Sequence, residues 1–133
     1  NFPDTSVQQT LFTVPANFAG RNVPDISLNS DPFTGFLLFS STDGGWLDRT
    51  GGTSFVAPQL NGIYALLSQA KGSRLGLANP QLYEAVADRG YTNNGPLNDI
   101  VTGDNWFYFA KPGYEPGAGL GTINAAKLLT IIR

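Results

Sequence analysis

A serine placed directly after a glycine-rich turn, where an apolar helical pattern begins, most constrains this 133-residue chain. Gly51 and Gly52 can adopt backbone angles that a side chain forbids, and they let a substrate approach the main chain closely. A helix start favours negative charge because its first N–H groups are unpaired and the helix dipole is positive there. Acyl-transfer enzymes need such stabilisation where an oxyanion forms. Ser54 is therefore a candidate nucleophile.

The same segment also has a simpler interpretation, in which Ser54 only caps the helix that follows. The chain contains no histidine. A serine nucleophile needs a general base within hydrogen-bond reach. If Ser54 is a nucleophile, its base is either a residue of another type or a histidine outside this chain.

Composition limits the class of protein. An apolar content of 41% in 133 residues is enough for one ordinary core. Charged residues make up 14% of the chain and the net charge is −2, so no basic stripe is available for nucleic acid. The chain has no cysteine, which excludes a disulfide framework and a thiolate metal site. It also lacks an apolar run long enough for a membrane helix, and we expect any targeting segment to lie upstream.

Apolar periodicity predicts three helices, over residues 54–69, 80–88 and 125–132. Pro58 is compatible with the first helix only because it falls in the first turn, and Asn124 can cap the last one. Short strands are predicted over residues 23–28, 36–41 and 106–109, the second of them buried because its apolar residues are continuous. The long loop between Gly90 and Gly121 predicts a functional segment or one that a ligand stabilises.

Several segments, in order along the chain, resemble motifs of the sedolisins, also called serine-carboxyl peptidases. Gly-Thr-Ser with Pro58 four residues after the serine is similar to the nucleophile signature that subtilisins and sedolisins share. Residues 20–36 resemble the sedolisin stretch Gly-Arg-x-x-Pro-Asp-Val-Ser-x-x-x-Asp-Pro-x-Thr-Gly, and residues 79–83 resemble Asn-Pro-x-Leu-Tyr. Residues 98–105 are similar to Asp-Ile-Thr-x-Gly-x-Asn, and residues 111–121 to Gly-x-Gly-Trp-Asp-x-x-Thr-Gly-x-Gly.

The resemblance implies an α/β fold of the subtilisin type, a mostly parallel sheet with flanking helices, of which residues 1–133 are only the C-terminal portion of a single catalytic domain. It implies a secreted, acid-acting endopeptidase whose nucleophile is Ser54. Sedolisins use a Glu as the base, an Asp that orients it and a further Asp at the oxyanion, so the lack of histidine is compatible with this family. All three acidic residues would lie upstream of this chain. The partners would be a polypeptide substrate and the N-terminal remainder of the domain, either in one polypeptide or as a separate heavy chain.

The resemblance also implies one structural calcium ion in the loop between Gly90 and Gly121. Its ligands would be the Asp99 and Glu115 carboxylates and the main-chain carbonyls of Ile100, Lys111 and Gly113. Carboxylate and carbonyl oxygens are the ligands that calcium takes. Lys111 stands where the family has a Gly, and Glu115 stands where it has an Asp.

Two alternatives stay open at the level of the sequence. Asp99 can simply cap a turn and Glu115 can be an exposed side chain. The chain can also belong to a calcium-stabilised binding module without catalysis, or to a degenerate peptidase homologue. A Glu-x-x-x-Asp pair upstream would favour the peptidase.

Overall fold

A computed structural model of the chain describes residues 22–132. Gly20 and Arg21, which open the first sedolisin-like segment, lie outside the described residues. The elements in chain order are β1 (Phe36–Ser40), β2 (Gly45–Thr50), a 3-10 helix (Thr53–Phe55), α1 (Val56–Lys71), α2 (Ala78–Arg89), β3 (Leu97–Asn98), β4 (Thr122–Ile123) and α3 (Ala125–Leu129).

The predicted first helix is confirmed as α1, and its two ends have clear local causes. Pro58 is its third residue, where a missing N–H group costs no intrahelical bond. The helix stops at Gly72, which adopts a left-handed φ of 69°. Its N–H donates to the Gln69 carbonyl at 3.1 Å, and the Ser73 N–H donates to the Ser68 carbonyl at 3.2 Å. This pattern satisfies carbonyl groups that the helix end would otherwise leave unpaired.

The other two predicted helices are also confirmed, with small differences in length. α2 carries four buried side chains, and α3 ends at Leu129, three residues earlier than predicted. Asn124 caps α3, because its side-chain oxygen accepts from the Lys127 N–H at 3.2 Å. The core of the described residues comprises Leu67, Leu75, Leu82, Tyr83, Ala85, Val86, Leu97, Leu120, Leu128 and Ile132.

Both sheets of the described residues are two-stranded and antiparallel. β1 pairs with β2 as a hairpin, with an irregular register between Phe36 and Leu38, and β3 pairs with β4. The mostly parallel sheet of the predicted fold is not found within residues 22–132, so that part of the fold stays a prediction.

Two predicted strands take other forms. Residues 23–28 form no regular strand, although the Leu120 N–H donates to the Asp25 carbonyl at 2.7 Å and the Ser27 N–H to the Gly121 carbonyl at 3.0 Å. Residues 106–109 lie at the tip of a turn closed by a single bridge between Asp104 and Phe109. Trp106 has a φ of 76° there, which is incompatible with an extended strand.

The apolar residues of β1 are exposed, contrary to the prediction of a buried strand. Leu37 is 66% exposed, Phe39 59% and, on the facing strand, Trp46 68%. Within the described residues the main contacts of β1 are with β2, and its first residue, Phe36, also stacks on Phe55. The hairpin therefore presents an apolar surface of a kind that folded proteins usually cover. None of the helices in residues 22–132 has the length and apolar content that a membrane crossing requires.

Candidate active site

Ser54 lies in the middle of the 3-10 helix that joins β2 to α1. Gly52 precedes this helix with a φ of 112°, an angle that side chains rarely adopt. The Phe55 N–H donates to the Gly52 carbonyl at 3.0 Å, which closes the turn around Ser54. The prediction that an α-helix starts at Ser54 is wrong by two residues, because this tighter turn comes first and α1 begins at Val56. The serine still lies at the amino end of the helical segment.

The Ser54 side chain is exposed. Within residues 22–132 no side chain forms a hydrogen bond with its hydroxyl group. The described part of the chain therefore supplies no base for Ser54, and activation of this serine would require a group from elsewhere. The sedolisin resemblance implies the same for its Glu and Asp residues.

Two contacts from residues earlier in the chain hold the turn around Ser54 in place. The Gly52 N–H donates to the Ser30 carbonyl at 2.6 Å. The rings of Phe36 and Phe55 stack, with centroids 5.5 Å apart and an interplanar angle of 5°. Both contacts come from the segment that precedes β1 or from its first residue. Sequence reasoning missed them because neither partner has a local spacing that would predict the pairing.

Asp25 connects three of the sedolisin-like segments. Its carboxylate accepts a hydrogen bond from the Tyr83 hydroxyl at 2.8 Å and one from the Asn79 side-chain amide at 2.8 Å. Asn79 and Tyr83 are four residues apart on α2, so they lie on one face of the helix. The Asp25 carbonyl also accepts from the Leu120 N–H at 2.7 Å. The Asp25 carboxylate thus takes two side-chain donors from α2.

The proposed metal ligands lie in two neighbouring parts of the long loop. Asp99 contacts Gly113, since its carboxylate accepts from the Gly113 N–H at 2.8 Å. Glu115 and Ile100 line one cavity of about 210 Å³, together with Asp104. Lys111 is exposed. The structure thus brings Asp99 to Gly113 and Ile100 to Glu115, whereas Lys111 forms no hydrogen bond or ion pair within residues 22–132.

Glu115 is buried, with only 2% of its surface exposed, so the alternative of an exposed side chain is wrong. Its two carboxylate oxygens accept from the Gly117 and Ala118 N–H groups, each at 2.6 Å. No Lys or Arg of residues 22–132 forms an ion pair with it. A buried carboxylate that meets only neutral donors is compatible with a nearby cation, because each oxygen keeps a second lone pair.

Tyr91 has a buried hydroxyl group without a hydrogen-bond partner among the described residues. Burial raises the pKa of this phenol strongly, and the charge of Asp99 raises it further. A buried hydroxyl without a hydrogen bond lowers the stability of the fold. We therefore expect a further hydrogen-bond partner for Tyr91, such as a water molecule, near Asp99. In the part of the chain that the structure describes, no three His, Cys, Asp or Glu side chains are close enough to hold a metal ion. A cation in this loop would therefore depend on main-chain carbonyls as well as Asp99 and Glu115.

The characterised proteins whose sequences are similar to this chain are peptidases. Kumamolisin of Bacillus sp. (strain MN-32) is 35% identical over 115 residues, which cover 86% of this chain and 20% of that protein. Tripeptidyl-peptidase SED1 of Arthroderma otae is 29% identical over 139 residues, which cover 92% of this chain and 19% of that protein. No protein-family model matches the chain.

The structural comparison agrees. Pseudomonas sedolisin, a serine-carboxyl proteinase solved with two molecules of pseudo-iodotyrostatin, superposes with a TM-score of 0.78 and 29% identity. The match covers 96% of this chain and 33% of the sedolisin chain, and it supports an α/β fold of the subtilisin type. The chain spans about a fifth of the length of the curated relatives that it matches. Together with the sedolisin-like motifs, which occur in order along the chain, these matches show that the chain belongs to the sedolisin family of peptidases.

Proposed function

We propose that this chain carries the nucleophile of a serine-carboxyl endopeptidase, and that the nucleophile is Ser54. The observation that carries the proposal is the position of Ser54, which is exposed and lies two residues after the positive-φ Gly52, at the amino end of a helical segment. This position leaves the hydroxyl accessible to a substrate. Unpaired N–H groups at the start of a helical segment could also stabilise a developing oxyanion there.

In the proposed reaction the Ser54 Oγ attacks the carbonyl carbon of a substrate peptide bond, and its proton passes to a carboxylate base. The amine leaves with a proton, and water then hydrolyses the acyl-enzyme ester, which returns Ser54 to its starting state. The family resemblance assigns the base to a Glu, its orientation to an Asp, and assistance at the oxyanion to a further Asp. None of these belongs to the described residues, so the role of this chain is to hold the nucleophile.

The partner of this chain in the proposal is the N-terminal remainder of the catalytic domain, either in one polypeptide or as a separate heavy chain. Two observations support it: the match covers only a third of the sedolisin chain, and the β1–β2 hairpin exposes Leu37, Phe39 and Trp46. Residues 1–133 would then be the C-terminal portion of a single domain. We call this chain with its N-terminal remainder the complete peptidase, and we expect it to be secreted, as the resemblance implies.

We expect the complete peptidase to hydrolyse peptides fastest at acidic pH. A Glu base has an unperturbed pKa of about 4.3, so it is ionised and able to accept a proton well below neutral pH, unlike a His of about 6.5. The measurement is kcat/KM against pH with a peptide p-nitroanilide, with the Ser54→Ala protein as the background control. A maximum at neutral or alkaline pH would contradict a carboxylate base and favour the subtilisin mechanism.

We also propose that the loop between Gly90 and Gly121 binds one structural calcium ion. The ligands would be Asp99, Ile100, Lys111, Gly113 and Glu115, the middle three through main-chain carbonyls. The buried carboxylate of Glu115 and the cavity that it shares with Ile100 support the proposal. The ion would neutralise the two carboxylates and fix the loop, without taking part in the reaction.

Chelation is expected to lower the melting temperature of the complete peptidase. Calcium that binds only the folded state adds RT ln(1 + [L]/Kd), about 2.7 kcal/mol at a hundredfold excess over Kd. The measurement is a thermal melt with calcium and with EDTA. Glu115→Gln should remove most of the difference between the two melts, whereas Glu84→Gln, an exposed glutamate of α2, should retain it. Identical melts of the unsubstituted protein in calcium and in EDTA would rule out the site.

A further inference from the structure

Residues 29–36, here called the clamp segment, contact the Ser54 turn on both sides of the serine. The Ser30 carbonyl accepts from the Gly52 N–H at 2.6 Å, two residues before Ser54. The Phe36 ring stacks on the Phe55 ring, directly after Ser54, with centroids 5.5 Å apart. Since the two contacts attach the turn at separate points, before and after Ser54, they restrain both the position of the turn and its rotation.

The clamp segment also lies directly against the backbone of the glycine turn. A Cβ atom added at Gly51 would lie 2.7 Å from the Pro32 nitrogen and 2.8 Å from its Cα atom. Such distances are too short for real Cβ atoms, so this contact requires glycine. The main chains of the two segments are therefore in van der Waals contact just before the nucleophile.

Asp31 holds the clamp segment in shape. Its carboxylate accepts from the Phe33 N–H at 3.0 Å, the Thr34 N–H at 3.2 Å and the Thr34 hydroxyl at 3.0 Å. The Asn29 side-chain amide donates to the Thr34 carbonyl at 2.8 Å. The hydrogen bond from the Phe33 N–H, more than any other group, lowers the pKa of Asp31, so this acceptor stays ionised to a lower pH than an ordinary aspartate. An exposed turn thus retains a defined conformation.

We propose that the clamp segment positions Ser54 for attack, with Asp31 and Phe36 as its positioning residues. Asp31 acts through Ser30 and Gly52, and Phe36 acts through Phe55. This inference rests on the proposed role of Ser54. It adds that the reactivity of the serine depends on side chains that never touch the substrate.

The test uses paired substitutions in the complete peptidase. Phe36→Leu removes the stacked ring beside Ser54. Phe107→Leu is the control, because it removes an exposed ring that belongs neither to the clamp segment nor to the β1–β2 hairpin. We expect Phe36→Leu to lower kcat about tenfold with KM almost unchanged, because small misplacements of a reacting group can cost up to about 10²-fold. Phe36→Tyr, which keeps the ring, should restore most of kcat, and Phe107→Leu should leave it unchanged.

A second pair addresses the polar half of the clamp. Asp31→Ala removes the acceptor that fixes the clamp segment, and Asp43→Ala removes another exposed turn aspartate, which accepts from the Ser40 hydroxyl at 2.6 Å. We expect kcat to fall several-fold in the first variant and to stay unchanged in the second. Thermal melts of all variants show whether a fall in kcat is merely lost stability.

Acylation of Ser54, detected by mass spectrometry after acid quenching, separates the possible failures. If Ser54 is acylated in the parent and kcat is unchanged in both Phe36→Leu and Asp31→Ala, the clamp is wrong while the nucleophile stands. Equal losses in Phe36→Leu and Phe107→Leu also contradict the clamp. If the parent is active without an acyl group on Ser54, the proposed function and this inference are both wrong.

Discussion

Replacing Ser54 by alanine is expected to lower kcat of the complete peptidase by about 10⁴-fold or more while leaving its fold intact. Catalytic groups that act as a unit lose most of their combined effect when the nucleophile is removed. The fold should be unaffected because the Ser54 side chain is exposed and makes no hydrogen bond with another described side chain. The measurement is p-nitroanilide hydrolysis at acidic pH, with a thermal melt as the test of folding.

Ser73→Ala is a matched control for this substitution. Ser73 is also exposed and follows the opposite end of α1, where its backbone N–H, not its hydroxyl, donates to the Ser68 carbonyl. We expect this variant to retain full activity. Turnover retained by Ser54→Ala, once contaminating protease has been excluded, would contradict the nucleophile. It would favour the alternative of a degenerate homologue or a binding module.

Local patterns predicted the helices well. α1 and α2 follow from apolar spacing and from proline near their starts, and α3 follows from the cap at Asn124. These signals act over a few residues, so they can be read from the sequence without knowledge of the fold. The exact start of α1 was missed because Thr53–Phe55 adopts the tighter 3-10 turn.

Contacts between distant residues were not predictable in this way. Asp25 and Tyr83 are 58 residues apart, and no spacing rule indicates that they share a hydrogen bond. The pairing of Phe36 with Phe55 is equally invisible in the sequence. The family resemblance did identify the segments that meet at Asp25, but not the contacts that join them.

The exposure of β1 shows a different limit. A continuous apolar run predicts burial, yet Leu37 and Phe39 are exposed in the described residues. The apolar run indicates that some surface covers this strand, but it does not indicate which part of the protein supplies that surface. Glu115 is the converse case, since one of its two sequence interpretations was an exposed side chain, whereas the side chain is buried on its own turn.

The 133 residues alone are expected to show no peptidase activity. No described side chain can take the proton of Ser54, and an unassisted serine hydroxyl is a weak nucleophile at acidic or neutral pH. The exposed hairpin residues Leu37, Phe39 and Trp46 form a surface that the remainder of the domain can cover. The base and this covering surface are expected to come from the same N-terminal part.

Mixing the separately produced N-terminal remainder with this chain is therefore expected to generate activity that neither part has alone. The measurement is p-nitroanilide hydrolysis at acidic pH by each part and by the mixture. The same mixture made with the Ser54→Ala chain should stay inactive, which assigns the recovered turnover to this serine. Hydrolysis by the unmixed chain that Ser54→Ala abolishes would contradict the prediction, because it would mean that residues 1–133 already contain a base for Ser54.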